Sequence, residues 1–486
     1  MCLTRFRLLI LWASISLLLT PLAQARESAL PPAVSKALAQ AQIPTEAVSL
    51  LVSEAGGHGG PLLSLHPDQP RNPASVMKLL TTLAGLEILG PSWTWSTPVY
   101  AEGVIRDGTL HGKLYLRGQG DPRLVVEQLW LLLRRVQSLG IRHIDGDIVL
   151  DRGAFALDAH DPGEFDGEPL RPYNAAPDAL LLNYRSVLMS FVPDPAAQVA
   201  RVHYEPPLAG VQQQATVPLG TGVCGDYRAM LRADFNDPKR VAFAGSYPVS
   251  CGEKTWPIAY ADPASYNARA IEGLWREMGG QLSGQVLEGR VPKGLTPAFQ
   301  FPSPPLAEIV RTINKFSSNV MAQQLFLTLS LQQLDKGTSA GSLVIVQDWW
   351  RQRFGAGDEP TLSNGSGLSR SNRISARALE RLLQYAWMSP LMPELLSSLP
   401  ISGQDGTLRR ERWRAQGIAH LKTGSLRDVA ALAGVVHAAG GHRYVLVAIV
   451  NHPNATAARP ALEALVEWTS RQKPPQRGHP PHEHHD

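Results

Sequence analysis

Apolar residues recur along this chain with two periods, and the change from one to the other divides it into blocks. Spacings of three and four mark one face of a helix. They appear first at Ala33–Ala41 and again from Ser75, where Val76, Leu79, Leu80, Leu83, Leu86 and Ile88 lead up to Gly90 and Pro91. Between these helices, Val48–Ser53 and Leu62–His66 read as a strand pair. From about 96 to 300 the segments shorten. Strand-like stretches such as Val104–Ile105, Lys113–Arg117 and Asp147–Asp151 are divided by Asp-Gly, Gly-Gly and Pro-containing turns, with one amphipathic helix at Leu124–Leu139. Helical spacing returns at Leu306–Lys315, Asn319–Leu334, Gly341–Phe354 and Ser375–Trp387. Strands at Ala430–Ala438 and Tyr444–Asn451 and a helix over Ala457–Arg471 complete the pattern. With strands near both ends and helices between them, the two ends are expected to share one sheet, the middle of the chain being an insertion.

The 486 residues predict two to four structural units, and 44% hydrophobic content excludes a disordered chain. A net charge of +4 without a basic block in the body argues against nucleic acid as the main partner. The first residues carry their own signal. Arg5 and Arg7 precede an apolar run from Leu8 to Leu19, followed by Ala23-Gln24-Ala25. This reads as a secretory signal peptide over 1–25, cleaved after Ala25, because the run is shorter than the ~20 residues of a membrane span. Removing it takes Cys2 and leaves Cys224 and Cys251, 27 positions apart. In an oxidising compartment such a lone pair is most simply a disulfide, with two buried free thiols as the alternative. The segment 472–486 is rich in Pro and His, and its His479, His482, His484 and His485 read as a solvated tail rather than a metal site.

Three short strings carry chemistry. Ser75-Val76-Met77-Lys78 opens a helix, and a spacing of three puts a hydroxyl and an amine on one face. A neutral lysine can take the serine proton if desolvation or another cation lowers its pKa. Ser317-Ser318-Asn319 lies between two helical segments, where Ser317 also fits a helix N-cap. Lys422-Thr423-Gly424-Ser425 lies on or at the end of a strand; the cation can fix a carboxylate and Gly424 can let a ligand approach the backbone. Ser-x-x-Lys recurs at Ser470–Lys473 and Ser-x-Asn at Ser265–Asn267, so each is weak alone. Gly337-Thr338-Ser339-Ala340-Gly341 fits a hydrolase nucleophile elbow, but a helical pattern precedes it where that elbow needs a strand.

Together and in this order, the three strings resemble those of serine β-lactamases and penicillin-binding proteins. Within that superfamily the chain is most similar to the low-molecular-mass, class C group, the D-alanyl-D-alanine carboxypeptidases/endopeptidases with a large insertion between the first two motifs. Asn72–Thr81, Gly118–Pro122, Asn364–Ser369, Asp405–Leu408 and Leu421–Leu426 look like that group's motifs in context, and Ser317 follows Ser75 by 242 residues. One departure is Asn364, where the group usually has Asp. The resemblance implies an α/β (α+β) fold: a transpeptidase-like catalytic domain from 26–95 and 303–471, with an antiparallel sheet flanked by helices, and a β-rich inserted module of two subdomains over 96–302.

It also implies acyl transfer on peptidoglycan peptides ending in D-Ala-D-Ala, with β-lactams as covalent inhibitors and no metal or organic cofactor. Ser75 is the expected nucleophile and Lys78 its base. Ser317 would relay a proton to the leaving amine, and Asn319 would bind the substrate amide and orient Lys78. Lys422, Thr423 and Ser425 would hold the terminal carboxylate. The amides of Ser75 and Ser425 would form the oxyanion hole, in which one donor is typically worth ~10²–10³ in rate. The implied place is the periplasm, and wall or membrane-surface association is compatible with it. Two rivals share the fold. An exported β-lactamase would turn penicillin over quickly, and a non-catalytic wall-binding protein would bind as well without Ser75.

Overall fold

The computed structural model describes residues 29–57, 59–409 and 413–472. The expected signal peptide and, apart from Gln472, the His-rich tail lie outside these residues. No helix among the described residues is long and apolar enough to cross a membrane.

The two ends of the chain do meet in one sheet. Its strands lie in the order Ala419–Leu426, Val429–His437, Arg443–Asn451, Val48–Glu54 and Leu63–Leu65, all antiparallel. Leu51 pairs with Val447, so residues nearly 400 apart in sequence are neighbours in the ladder. Strand alternation then sorts side chains between two layers. Val445, Val447 and Ile449 pack against the helices Lys78–Leu89, Asn319–Leu334, Ser339–Phe354 and Ala376–Met388. Leu446, Ala448 and Val450 face the other way, against Pro32–Gln40 and Arg459–Ser470. Both faces are covered, which is why these strands read as continuous apolar runs.

Residues 96–302 carry three further sheets, of seven, five and three strands. The module closes on itself where Ser96 pairs with Pro302. One continuous apolar cluster, from Val99 to Phe299, runs through the seven- and five-stranded sheets. A helix over Pro263–Glu277 also lies here, which the sequence reading did not include although Tyr266, Ala270, Ile271, Leu274 and Trp275 keep helical spacing on its buried face. That face also holds the polar Asn267, which donates to the Leu180 carbonyl. The Ser265–Asn267 string is therefore part of that helix. Cys224 and Cys251 form a disulfide in this module.

The module is fastened to the catalytic part through Gln324, fully buried on the helix Asn319–Leu334. Its amide nitrogen donates to the Asp178 carbonyl at 2.8 Å and the Gly120 carbonyl at 3.1 Å, and its oxygen accepts from the Asp178 amide at 2.9 Å. Gly120 belongs to the Gly118–Pro122 string, which thereby acquires a structural role. Ser339 opens a helix that follows directly on another helix, so the Gly337–Gly341 string is a helix–helix turn.

Candidate active site

Ser75 does not sit in an α-helix. It lies in a 3₁₀ turn, Ala74–Met77, that leads into the helix Lys78–Leu89. In a 3₁₀ turn side chains three apart eclipse each other, which brings the Lys78 Nζ to 2.9 Å from the Ser75 Oγ. The turn is held in a costly shape. Ala74 has φ +47°, a left-handed conformation that costs a non-glycine residue about 1–2 kcal/mol. Asn72 sustains it, its oxygen accepting from the Ala74 amide and its nitrogen donating to the Ser369 carbonyl, while Asn72 and Asn451 exchange two further bonds.

Lys78 is fully buried. Besides Ser75, its nitrogen has two neighbours, the Asn319 Oδ1 at 2.6 Å and the Ser366 carbonyl at 2.5 Å. Both are acceptors only. A neutral amine has two N–H bonds and one lone pair; the two carbonyl-type oxygens take the N–H bonds, and the lone pair is left for the serine proton. Burial, and then the charge of Lys422, holds Lys78 well below the usual lysine range. Ser366 owes its position to Asn364, whose oxygen accepts from the Ser366 amide and hydroxyl. The role there is that of a turn-forming amide, which asparagine fulfils.

Ser317 ends the helix Leu306–Phe316 in a left-handed conformation, φ +55°. It is not the N-cap of the next helix. Ser318 takes that role, accepting from the Met321 amide, and leaves the Ser317 hydroxyl free to face Lys422 at 2.8 Å. The doubled serine of the string thus divides two tasks. Lys422 projects from the edge strand Ala419–Leu426 and is fully buried; burial lowers its pKa to about 7.

Gly424 has a structural reason as well. A Cβ there would lie 2.3 Å from the Pro73 carbonyl, so the bare glycine admits the Ser75 turn. Gly367 does the same from the other side, where a Cβ would stand 2.1 Å from the Ala74 carbonyl. Thr423 has its hydroxyl 2.8 Å from that of Thr407, a residue that belongs to the Asp405–Leu408 string. That string is itself anchored by Asp405, which pairs with the buried Lys315 at 2.5 Å.

Ser75, Ser317, Asn319 and Ser425 line one cleft of about 600 Å³. The inserted module supplies part of its wall through Phe165, Asp166 and Tyr173, with the Arg370 guanidinium lying over the Phe165 ring. Asn319 also donates its Nδ2 to the Tyr173 carbonyl at 3.1 Å. No side-chain pattern marks such a main-chain acceptor, and sequence reasoning missed it. Beyond Leu421 the outer edge of the Lys422 strand carries no partner strand among the described residues, so its main chain borders the cleft.

A buried lysine poised on a serine, beneath an edge strand of an α/β/α layer structure, defines a serine-type hydrolase of the transpeptidase-like class. The profile of the D-Ala-D-Ala carboxypeptidase 3 (S13) family matches residues 30–472, and the chain belongs to that family. A D-alanyl-D-alanine carboxypeptidase of Actinomadura sp. strain R39 is 28% identical, over 88% of this chain and 83% of the relative. A second relative, the D-alanyl-D-alanine carboxypeptidase DacB of Haemophilus influenzae, is 26% identical over 78% of this chain and 80% of its own. The fold is that of penicillin-binding protein 4 of Haemophilus influenzae, with a TM-score of 0.72 at 22% identity over 90% of this chain and 99% of the other. That protein has also been solved with a β-lactam bound.

Proposed function

We propose that this chain is an exported serine-type D-Ala-D-Ala carboxypeptidase and D,D-endopeptidase that cleaves peptidoglycan stem peptides through an acyl-enzyme on Ser75. The observation that carries the reading is the environment of Lys78, whose two acceptor neighbours direct its lone pair at the Ser75 hydroxyl. On this reading Ser75 attacks the carbonyl of the penultimate D-Ala while its proton passes to Lys78. The amides of Ser75 and Ser425 take the developing oxyanion. Ser317, in contact with Lys422, returns a proton to the departing amine, and water then releases the acyl group. Lys422 and its neighbouring hydroxyls hold the terminal carboxylate. The open edge beside Lys422 offers main-chain groups to an extended peptide, a mode of recognition common at sheet edges. A β-lactam enters by the same attack, but its leaving group stays tethered and blocks water.

Incubation with a pentapeptide ending in D-Ala-D-Ala and with a cross-linked muropeptide tests both activities. Free D-Ala and monomeric muropeptide are expected, and both disappear in Ser75→Ala. Intact-mass analysis after penicillin treatment, with peptide mapping, is expected to place a slowly released adduct on Ser75. Rapid loss of the adduct would instead indicate a β-lactamase, and neither product nor adduct would refute the assignment.

A further inference from the structure

Resting on that reading, the contact between Asn319 and the inserted module has a chemical consequence. An amide side chain can turn over, exchanging its oxygen and nitrogen. In the observed orientation the oxygen accepts from Lys78 and the nitrogen donates to the Tyr173 carbonyl. In the reversed orientation two oxygens would face each other at Tyr173, and an N–H group would point at Lys78, competing with Ser75 for its lone pair. The carbonyl of residue 173 therefore fixes the polarity of Asn319, and with it the direction in which Lys78 is basic.

That carbonyl lies in a short 3₁₀ turn, Pro172–Asn174. Asn174 is buried, 3% exposed, and its nitrogen donates to the Asp166 carboxylate at 2.8 Å and the Glu168 carbonyl at 3.0 Å. Its side-chain oxygen has no partner. Burying a half-satisfied amide is unfavourable, and the two bonds it does make both brace the turn against the loop before it. Asn174 is not among the residues that line the catalytic cleft.

We propose that Asn174 is a positioning residue for acylation: it braces the turn of the inserted module whose Tyr173 carbonyl holds the Asn319 amide with its oxygen on Lys78. The module is then a working part of the catalytic apparatus.

The test uses benzylpenicillin, which acylates Ser75 without needing the far end of a natural peptide. In Asn174→Ala the second-order rate of Ser75 acylation is expected to fall at least tenfold, with a melting temperature close to that of the parent. The acidic limb of its pH profile is expected to move to lower pH, because Lys78 as an ammonium has lost an acceptor; a merely structural defect would leave the limb in place. Asn174→Ser, which keeps one donor, is expected to fall between the two and carries the same test if the alanine variant does not fold. An unchanged acylation rate and an unmoved limb in the folded variant overturn the proposal. Failure of the parent itself to be labelled at Ser75 overturns instead the functional reading on which it rests.

Discussion

At the scale of single residues, the two lysines of the site are unlike surface lysines because both are fully buried. On the proposed mechanism acylation requires neutral Lys78, so its rate is expected to decline as pH falls through the depressed pKa of that amine. Lys422→Ala removes a nearby cation that disfavours the Lys78 ammonium. The Lys78 pKa then rises, and the acidic limb of penicillin acylation is expected to shift to higher pH, as stopped-flow acylation across pH would record. Lys422, with its pKa near 7, is charged below neutrality. The KM for a peptide with a free terminal carboxylate is expected to rise above pH 7, whereas that for an amidated peptide stays flat. Ser75, Lys78 and Asn319 were legible in the sequence because their chemistry demands particular side chains at particular spacings. The Tyr173 carbonyl was not, since every residue carries a carbonyl and only the folded chain selects one.

At the scale of elements, the site depends on how closely three segments approach. The Ser75 turn is gripped between Gly367 and Gly424, at both of which a Cβ would overlap main-chain oxygen. Gly424→Ala is expected to push the edge strand from the turn, with a loss of about 1–3 kcal/mol in denaturant unfolding and a larger proportional loss of acylation, because Ser75 and Lys422 no longer keep their separation. That the Ser75 turn packs against Gly424 was not legible in the sequence, since a missing side chain looks the same whatever fills the gap. Sequence alone assigned Ser317 the capping role that Ser318 performs, two adjacent serines being equivalent until helix ends are fixed. Most of the long helices and the two long C-terminal strands were recognisable from their apolar spacing. The helix Pro263–Glu277 was passed over among the short strands around it, although its apolar face keeps helical spacing, and the helix Met392–Ser398 is too short to show a period.

At the scale of the whole molecule, the disulfide and the cleft belong to different regions. Cys224 and Cys251 close a 27-residue loop within the inserted module, and neither lines the catalytic cleft. Chain-entropy arguments put the stabilisation from such a loop on the order of 3 kcal/mol. The double variant Cys224→Ser with Cys251→Ser is expected to lower the unfolding midpoint while its penicillin acylation rate at 25 °C stays at the parent level. That a module lay between the first two motifs could be read from their separation in sequence. Its grip on the catalytic helix through Gln324 could not, because those bonds run to main-chain atoms of Gly120 and Asp178.

Two adjacent strands of the sheet, Val48–Glu54 and Leu63–Leu65, come from near the beginning of the polypeptide and the other three from near the end. During synthesis from the N-terminus, Ser75, the nucleophile of the proposed mechanism, emerges early and then waits for more than three hundred further residues before Lys422 and its supporting strands exist. A nascent or truncated polypeptide is thus chemically idle, and reactivity switches on only when the last stretch has been laid down beside the first.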